Sequence, residues 1–191
     1  MNTNQKLKEE LTKYKPYNAQ EVKDKELMLK YLEVFNDVLT RENEMAHFVS
    51  SAFVLNKERN KILLVFHNIM NSWNWEGGHA DGDVDLLGVA IREVKEETGL
   101  ENIIPLTKDF FIINILPVSQ HTKNGKEVSA HLHLNVAYVF EADEKEPIHI
   151  NENENSGVKW VKIKDFLEIT NNSRTYTKGL AKMKDEGFLY D

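Results

Sequence analysis

The sequence contains no cysteine. A disulfide framework, thiolate zinc sites and thiol catalysis are therefore excluded together. Blocks of lysine or arginine are also missing, and the formal charge is −7 at neutral pH. A surface of that sign does not attract a polyanionic duplex, so nucleic acid is not an expected partner. An anionic small molecule stays compatible with it where a metal ion or a few placed cations offset the field. The longest apolar stretches, such as KILLVF and FFIINILPV, fall far short of a bilayer span. The opening MNTNQKLKEELTKYK has no apolar core of the kind a signal peptide carries. The expectation is a cytoplasmic protein with no membrane partner.

What is present suits one globular domain with an added terminal segment: 191 residues, 41% of them hydrophobic and 29% charged. Met28, Leu32, Phe35 and Leu39 recur at helical spacing, which predicts an amphipathic helix over 24–39. Lys6 to Lys13 reads as a shorter helix ending before Pro16. At Ala46 the texture changes. HFVSSAFVLN and KILLVFH are strand-like and joined by the turn KERN. SWNWEGGHADGDVD is a glycine-rich acidic loop, and Asp85 is placed to cap a helix from Leu86 to Thr98, with Gly99 as its left-handed stop. Strands are expected near 109–118, 126–141 and 158–162, a polar loop at 151–157, and short helices near 164–169 and 174–186. The fold class predicted is α/β or α+β, with an N-terminal helical extension over 1–45 and the main domain over 46–191. The stripe on the extension is expected to pack on its own domain or to form a homodimer contact.

Glu93, Glu96 and Glu97 occupy two turns of the central helix, with Arg92 beside them. At 100° per residue, Glu96 and Glu97 lie within roughly 60° of Glu93, so the three share a face; Leu87, Ile91 and Val94 are expected opposite, toward the core. Like charges so placed repel. Taken alone, an acidic triplet is a solvated helix face. The double glycine upstream changes that balance, because it costs backbone entropy and lets another group approach the chain closely. Hard divalent cations favour carboxylate and carbonyl oxygens together with substrate phosphates. An EF-hand reading of Asp81-Gly82-Asp83-Val84-Asp85 fails, since Leu86 and Arg92 fall where that loop needs glycine and glutamate.

The run from Gly78 through Arg92-Glu93-Val94-Lys95-Glu96-Glu97-Thr98-Gly99-Leu100 resembles the Nudix box, G-x5-E-x7-R-E-U-x-E-E-x-G-U, with U a bulky aliphatic residue. Its second half matches at every specified position. The first box glutamate falls at Val84, and Asp83, one residue earlier, is the stand-in. The resemblance implies an α/β/α sandwich around a mixed sheet. It further implies a metal-dependent pyrophosphohydrolase that splits a nucleoside diphosphate linked to another moiety. Carried over by position, Arg92, Glu93, Glu96 and Glu97 are the catalytic set. Glu93, Glu96, Glu97 and the Gly77 carbonyl are the ligands of Mg²⁺ or Mn²⁺, and Arg92 orients Glu93 or Glu96. The alternative is a non-catalytic nucleotide-binding or regulatory member that keeps the fold. An isoprenoid diphosphate isomerase of similar fold relies on cysteine, which this chain lacks. Subfamily marks for NADH and coenzyme A are absent, which leaves the substrate open.

Other residues carry weaker signals. Glu152 and Glu154 are loop glutamates able to add a ligand or base. Trp73 and Trp75 read as core packing before base stacking. His79 follows the glycines, within reach of a phosphate. His131 and His133 alternate on one strand face, a spacing that can begin a metal site, but the chain shows no third ligand beside them, so a structural or substrate-contact role is expected.

Overall fold

The computed structural model describes residues 3–123 and 125–190. Residues 1–2, at the head of the expected extension, and residue 191, at the end of the expected domain, lie outside the described residues. Helices α1 (Thr3–Lys13) and α2 (Ala19–Val34) precede β1 (Ala46–Asn56), β2 (Lys61–His67), β3 (Ser72–Asn74) and β4 (Glu76–His79). Then come α3 (Leu86–Thr98), β5 (Ile103–Pro105), β6 (Ile112–Val118), the hairpin strands β7 (His121–Lys123) and β8 (Lys126–Val128), and the long β9 (His131–Ala142). β10 (Asn155–Lys162), α4 (Ile163–Ile169) and α5 (Arg174–Asp185) complete the order. Among the described residues no helix is long and apolar enough to cross a membrane.

The main sheet among the described residues has eight strands, with the path β10-β2-β1-β9-β5 and with β3, β4 and β6 added to β2, β1 and β9. It is mixed, as expected: β1 and β9 run parallel, while the other pairs are antiparallel. Strand alternation divides the core between its two faces. Phe48, Ala52 and Val54 of β1 join Leu134, Val136 and Phe140 of β9 in one cluster with α1, α2 and α3. Phe53 and Leu55 join Ala137 and Val139 in a second cluster with α4 and α5. That is a sheet between helical layers, the sandwich expected from the sequence.

The N-terminal segment does not stand apart. Leu7, Leu11, Met28, Leu32, Val38 and Leu39 are buried in the cluster that also holds Leu86, Val89 and Val94 of α3. The helix predicted over 24–39 begins earlier and stops earlier, because Asn18 caps it through Glu21 N–H and Phe35 has already left helical geometry (φ −115°, ψ 138°). Val38 and Leu39 are buried from the irregular stretch that follows. Glu21, fully buried on α2, holds the segment to the far layer: its Oε1 meets Lys178 Nζ of α5 at 2.8 Å, and its Oε2 accepts from Tyr14 Oη and Tyr17 N–H.

Candidate active site

Helix α3 has the predicted ends. The Asp85 carboxylate accepts from Gly88 N–H at 3.2 Å, and Gly99 closes the helix at φ 77°. Its buried stripe is the expected one only in part. Leu86, Val89, Ala90 and Val94 are buried, Leu87 and Ile91 only partly so, and the stripe continues into Glu97, which is 3% exposed. Glu93 and Glu97 point within roughly 20° of the direction of Leu86. The two carboxylates thus lie on the core side of the helix, Glu93 half-buried, whereas Glu96 is exposed.

Strand β4 lies beneath them. Gly77 and Gly78 pair with Ser51 and Ser50 of β1, and the Ser50 hydroxyl donates to the Leu86 carbonyl at 2.6 Å. Gly77 N–H donates to Glu97 Oε2 at 3.0 Å. A Cβ on Gly77 would sit 2.7 Å from the Ser50 carbonyl oxygen, and a Cβ on Gly78 would collide with the Glu93 carboxylate. Gly78 is therefore a steric requirement for bringing strand backbone against the Glu93 carboxylate, and Gly77 for bringing it against β1.

Burial sets the electrostatics. It pushes the Glu97 carboxyl up to about 8; the Gly77 N–H works against the shift, and the charges of Glu93, Glu154 and Glu96 add to it. Glu93 rises to about 7 through burial and the charges of Glu96 and Glu154, opposed by Arg92. Glu76, which opens β4, is fully buried, and both its carboxyl oxygens lack a hydrogen-bond partner among the described residues. Burial and the charge of Glu97 raise it well above the ordinary carboxylate range. Bound protons relieve the mutual repulsion here. Dications would do the same, and a set of hard, under-satisfied oxygens suits Mg²⁺ or Mn²⁺. Nothing in the sequence marks Glu76 beyond its position before the glycines.

Arg92 takes Asp83 as its ion-pair partner, with Nη1 3.5 Å from Oδ2, and its charge also reaches Glu93. Asp83 thus takes up a place beside the box arginine, while Val84 packs partly buried against the core. Of the two loop glutamates, Glu154 has a charge felt at both Glu93 and Glu97. Its neighbour Asn155 donates from Nδ2 to the Glu97 carbonyl at 2.8 Å, fixing the start of β10 against α3. Trp75 stacks edge-on against Phe53 and Tyr176, and Trp73 against Phe66 with Lys159 Nζ 3.9 Å above its ring, so both pack as expected.

His131 and His133 do acquire company. His47 of β1 is the register partner of His133, and His79 of β4 lies one residue pair away, opposite Val49. One ligand atom from each of the four rings lies within 4.8 Å of the others. His47 was not singled out from the sequence, because only the parallel pairing of β1 with β9 makes it a neighbour.

With this geometry in place, a family model described as the NUDIX domain matches residues 45–181. The chain belongs to the NUDIX family. That membership, with Arg92, Glu93, Glu96 and Glu97 all present, makes it a hydrolase of pyrophosphate bonds. A Caenorhabditis elegans Ap4A hydrolase in a binary complex is similar in structure, with a TM-score of 0.52, 17% identity, and coverage of 72% of this chain and 95% of that one. The Escherichia coli dihydroneopterin triphosphate pyrophosphohydrolase gives a TM-score of 0.52 at 14% identity, with 72% and 92% covered. The Mycobacterium smegmatis Nudix hydrolase RenU gives 0.51 at 12% identity, with 74% and 85% covered. At these identities the likeness is one of fold. No curated protein matches the sequence. The NUDIX match begins at residue 45, so α1, α2 and the stretch after them lie outside it, although they share its core.

Proposed function

We propose that this NUDIX hydrolase cleaves the diphosphate linkage of a nucleoside diphosphate joined to another moiety, with Mg²⁺ or Mn²⁺ held by Glu93, Glu96, Glu97 and the Gly77 carbonyl. The support is one juxtaposition: two inward-facing carboxylates, Glu93 and Glu97, against the Gly77–Gly78 backbone. When bound, the dications would neutralise charge on the phosphate oxygens and acidify the attacking water. The chain's own residues do the rest. Gly77 N–H holds Glu97 in one orientation, and Asn155 fixes the helix end from which it projects. A glutamate of the cluster accepts the proton from water, and a carboxyl whose affinity for protons lies near neutrality is suited to that task. Arg92, paired with Asp83, keeps a positive charge beside Glu93.

The test is a panel of diphosphate compounds, including Ap4A and dihydroneopterin triphosphate, assayed with Mg²⁺ or Mn²⁺ beside Glu97→Gln. Metal-dependent cleavage should fall at least about a hundredfold in the variant, equivalent to about 3 kcal/mol of transition-state stabilisation. Equal turnover by both proteins would remove α3 from the chemistry. Val84, partly buried against the core where the box carries glutamate, favours a second reading as a nucleotide-binding module without turnover. Metal and nucleotide binding with no cleavage of any compound would establish that reading.

A further inference from the structure

Four of the seven histidines meet at one end of the sheet, and the hydrolase site does not account for them. Strand alternation puts them on the face away from α3. Ser50 of β1 reaches the Leu86 carbonyl, so its even-numbered neighbours face α3, whereas His47, Val49 and their register partners His133 and His79 face the other way. The rings crowd together: centroids lie 5.0 Å apart for His47–His131 and His131–His133, 5.1 Å for His47–His79, 4.9 Å for His79–His133 and 5.3 Å for His47–His133.

Hydrogen bonding fixes how two of the rings present themselves. His47 Nδ1 lies 2.9 Å from the Asn43 carbonyl, and His131 Nδ1 lies 2.8 Å from the Ser129 carbonyl. A carbonyl only accepts, so each Nδ1 carries a proton, and in the neutral ring each Nε2 is the atom with the lone pair. His47 Nε2 is buried with no hydrogen-bond partner among the described residues. His131 Nε2 lies 3.2 Å from His133 Nε2, close to the nitrogen spacing of roughly 3.3 Å that a tetrahedral ion with Zn–N bonds of about 2.0–2.1 Å imposes. A backbone carbonyl on the far nitrogen is also the arrangement that orients metal-bound imidazole. A purely structural cluster would use a His133 Nε2–H to donate to His131 Nε2, but it would leave the buried His47 nitrogen orphaned among the described residues, at a cost in free energy.

We propose that His47, His79, His131 and His133 form a second metal site, whose occupant is a single Zn²⁺ ion in a tetrahedral set of imidazole nitrogens. Borderline-soft dications suit imidazole, whereas Mg²⁺ prefers the oxygens around Glu97, so the two sites select different ions. The ion ties β1, β4 and β9 together one residue beyond Gly78, and so steadies the backbone that carries the carboxylate site.

The site is tested on full-length protein prepared without a polyhistidine tag, stripped with chelator and titrated with Zn²⁺ against a chromophoric competitor. One equivalent should bind, the thermal midpoint should rise by about 5 °C or more, and Co²⁺ should give the visible bands of a tetrahedral ion. Millimolar Mg²⁺ should displace neither metal. His47→Ala and His133→Ala should each weaken Zn²⁺ at least about tenfold and abolish the cobalt bands. His133→Cys should restore binding with a new thiolate-to-cobalt band, which separates lost ligation from lost folding. His121→Ala, a histidine near His131 but outside the set, should bind as the parent does. Glu97→Gln should also keep its equivalent of zinc, so failure of this site and failure of the hydrolase reading are distinguishable. Less than one equivalent bound by the parent, or unchanged binding in His47→Ala and His133→Ala, overturns the proposal.

Discussion

The carboxylate site and the histidine cluster lie on opposite faces of the same strands and solve opposite problems. In the first, buried acids repel one another and hold protons near neutrality to coexist. In the second, four imidazole rings crowd together, and among the described residues the buried His47 Nε2 has no hydrogen-bond partner. Each is a poor resting state that a cation of the matching hardness would improve. The contrast shows how one double-glycine strand can serve both: glycine admits acids on one side, and the next residue, His79, turns the other way.

Several substitutions break or sharpen this contrast. The largest effect belongs to Glu97→Gln, which should cost the hydrolase at least about a hundredfold in turnover without loss of zinc. Next comes Gly78→Ala, whose added methyl collides with Glu93; turnover should drop at least about tenfold, with a stability loss of about 1–3 kcal/mol measured by urea unfolding.

A smaller effect is expected of pH on chelator-treated protein. Glu97 and Glu93 bind protons more tightly when folded than unfolded, so the native state holds more protons between about pH 4.5 and about 8. Their contribution is complete below the unfolded value and is lost as pH rises through the folded one, so the unfolding free energy should decline across that window. Glu97→Gln should flatten the decline, and at pH 8 the inactive variant should be the more stable of the two. A slope of the opposite sign would show that these acids are ionised without metal. The smallest effect is Arg41→Ala. Arg41 holds Asp81 in a two-bond pair at 2.8 and 2.7 Å, but both side chains are about half exposed, so the stability loss should stay within about 1 kcal/mol.

The two sites also differ in how far the sequence reveals them. Helix α3 is legible because its signals are local: Asp85 and Gly99 mark its ends, and the acids repeat within it. What local spacing missed was the direction of the acids, because Leu87, Ile91 and Val94 suggested a core opposite to them. Sheet pairing decided otherwise by placing β4 under Glu93 and Glu97. The same pairing creates β4 at all, since Glu76-Gly77-Gly78-His79 has no strand pattern of its own. His47 was illegible for the related reason that a parallel contact between β1 and β9 leaves no mark in either segment. On α2, four apolar residues at helical spacing located a helix but not its ends, because Leu39 buries itself from a turn as effectively as a helix would.

The link from Arg41 to Asp81 has a consequence for anyone cutting this protein to size. Arg41, and the Leu39 carbonyl that accepts from Gly82 N–H at 2.8 Å, grip the acidic loop from upstream of the point where the family's common frame begins. Trimming to that frame would free the loop leading into α3 and strip the sheet of the side chains of Leu7, Leu11, Met28 and Leu32 at the same stroke. A homology border, here, runs through the middle of one buried core.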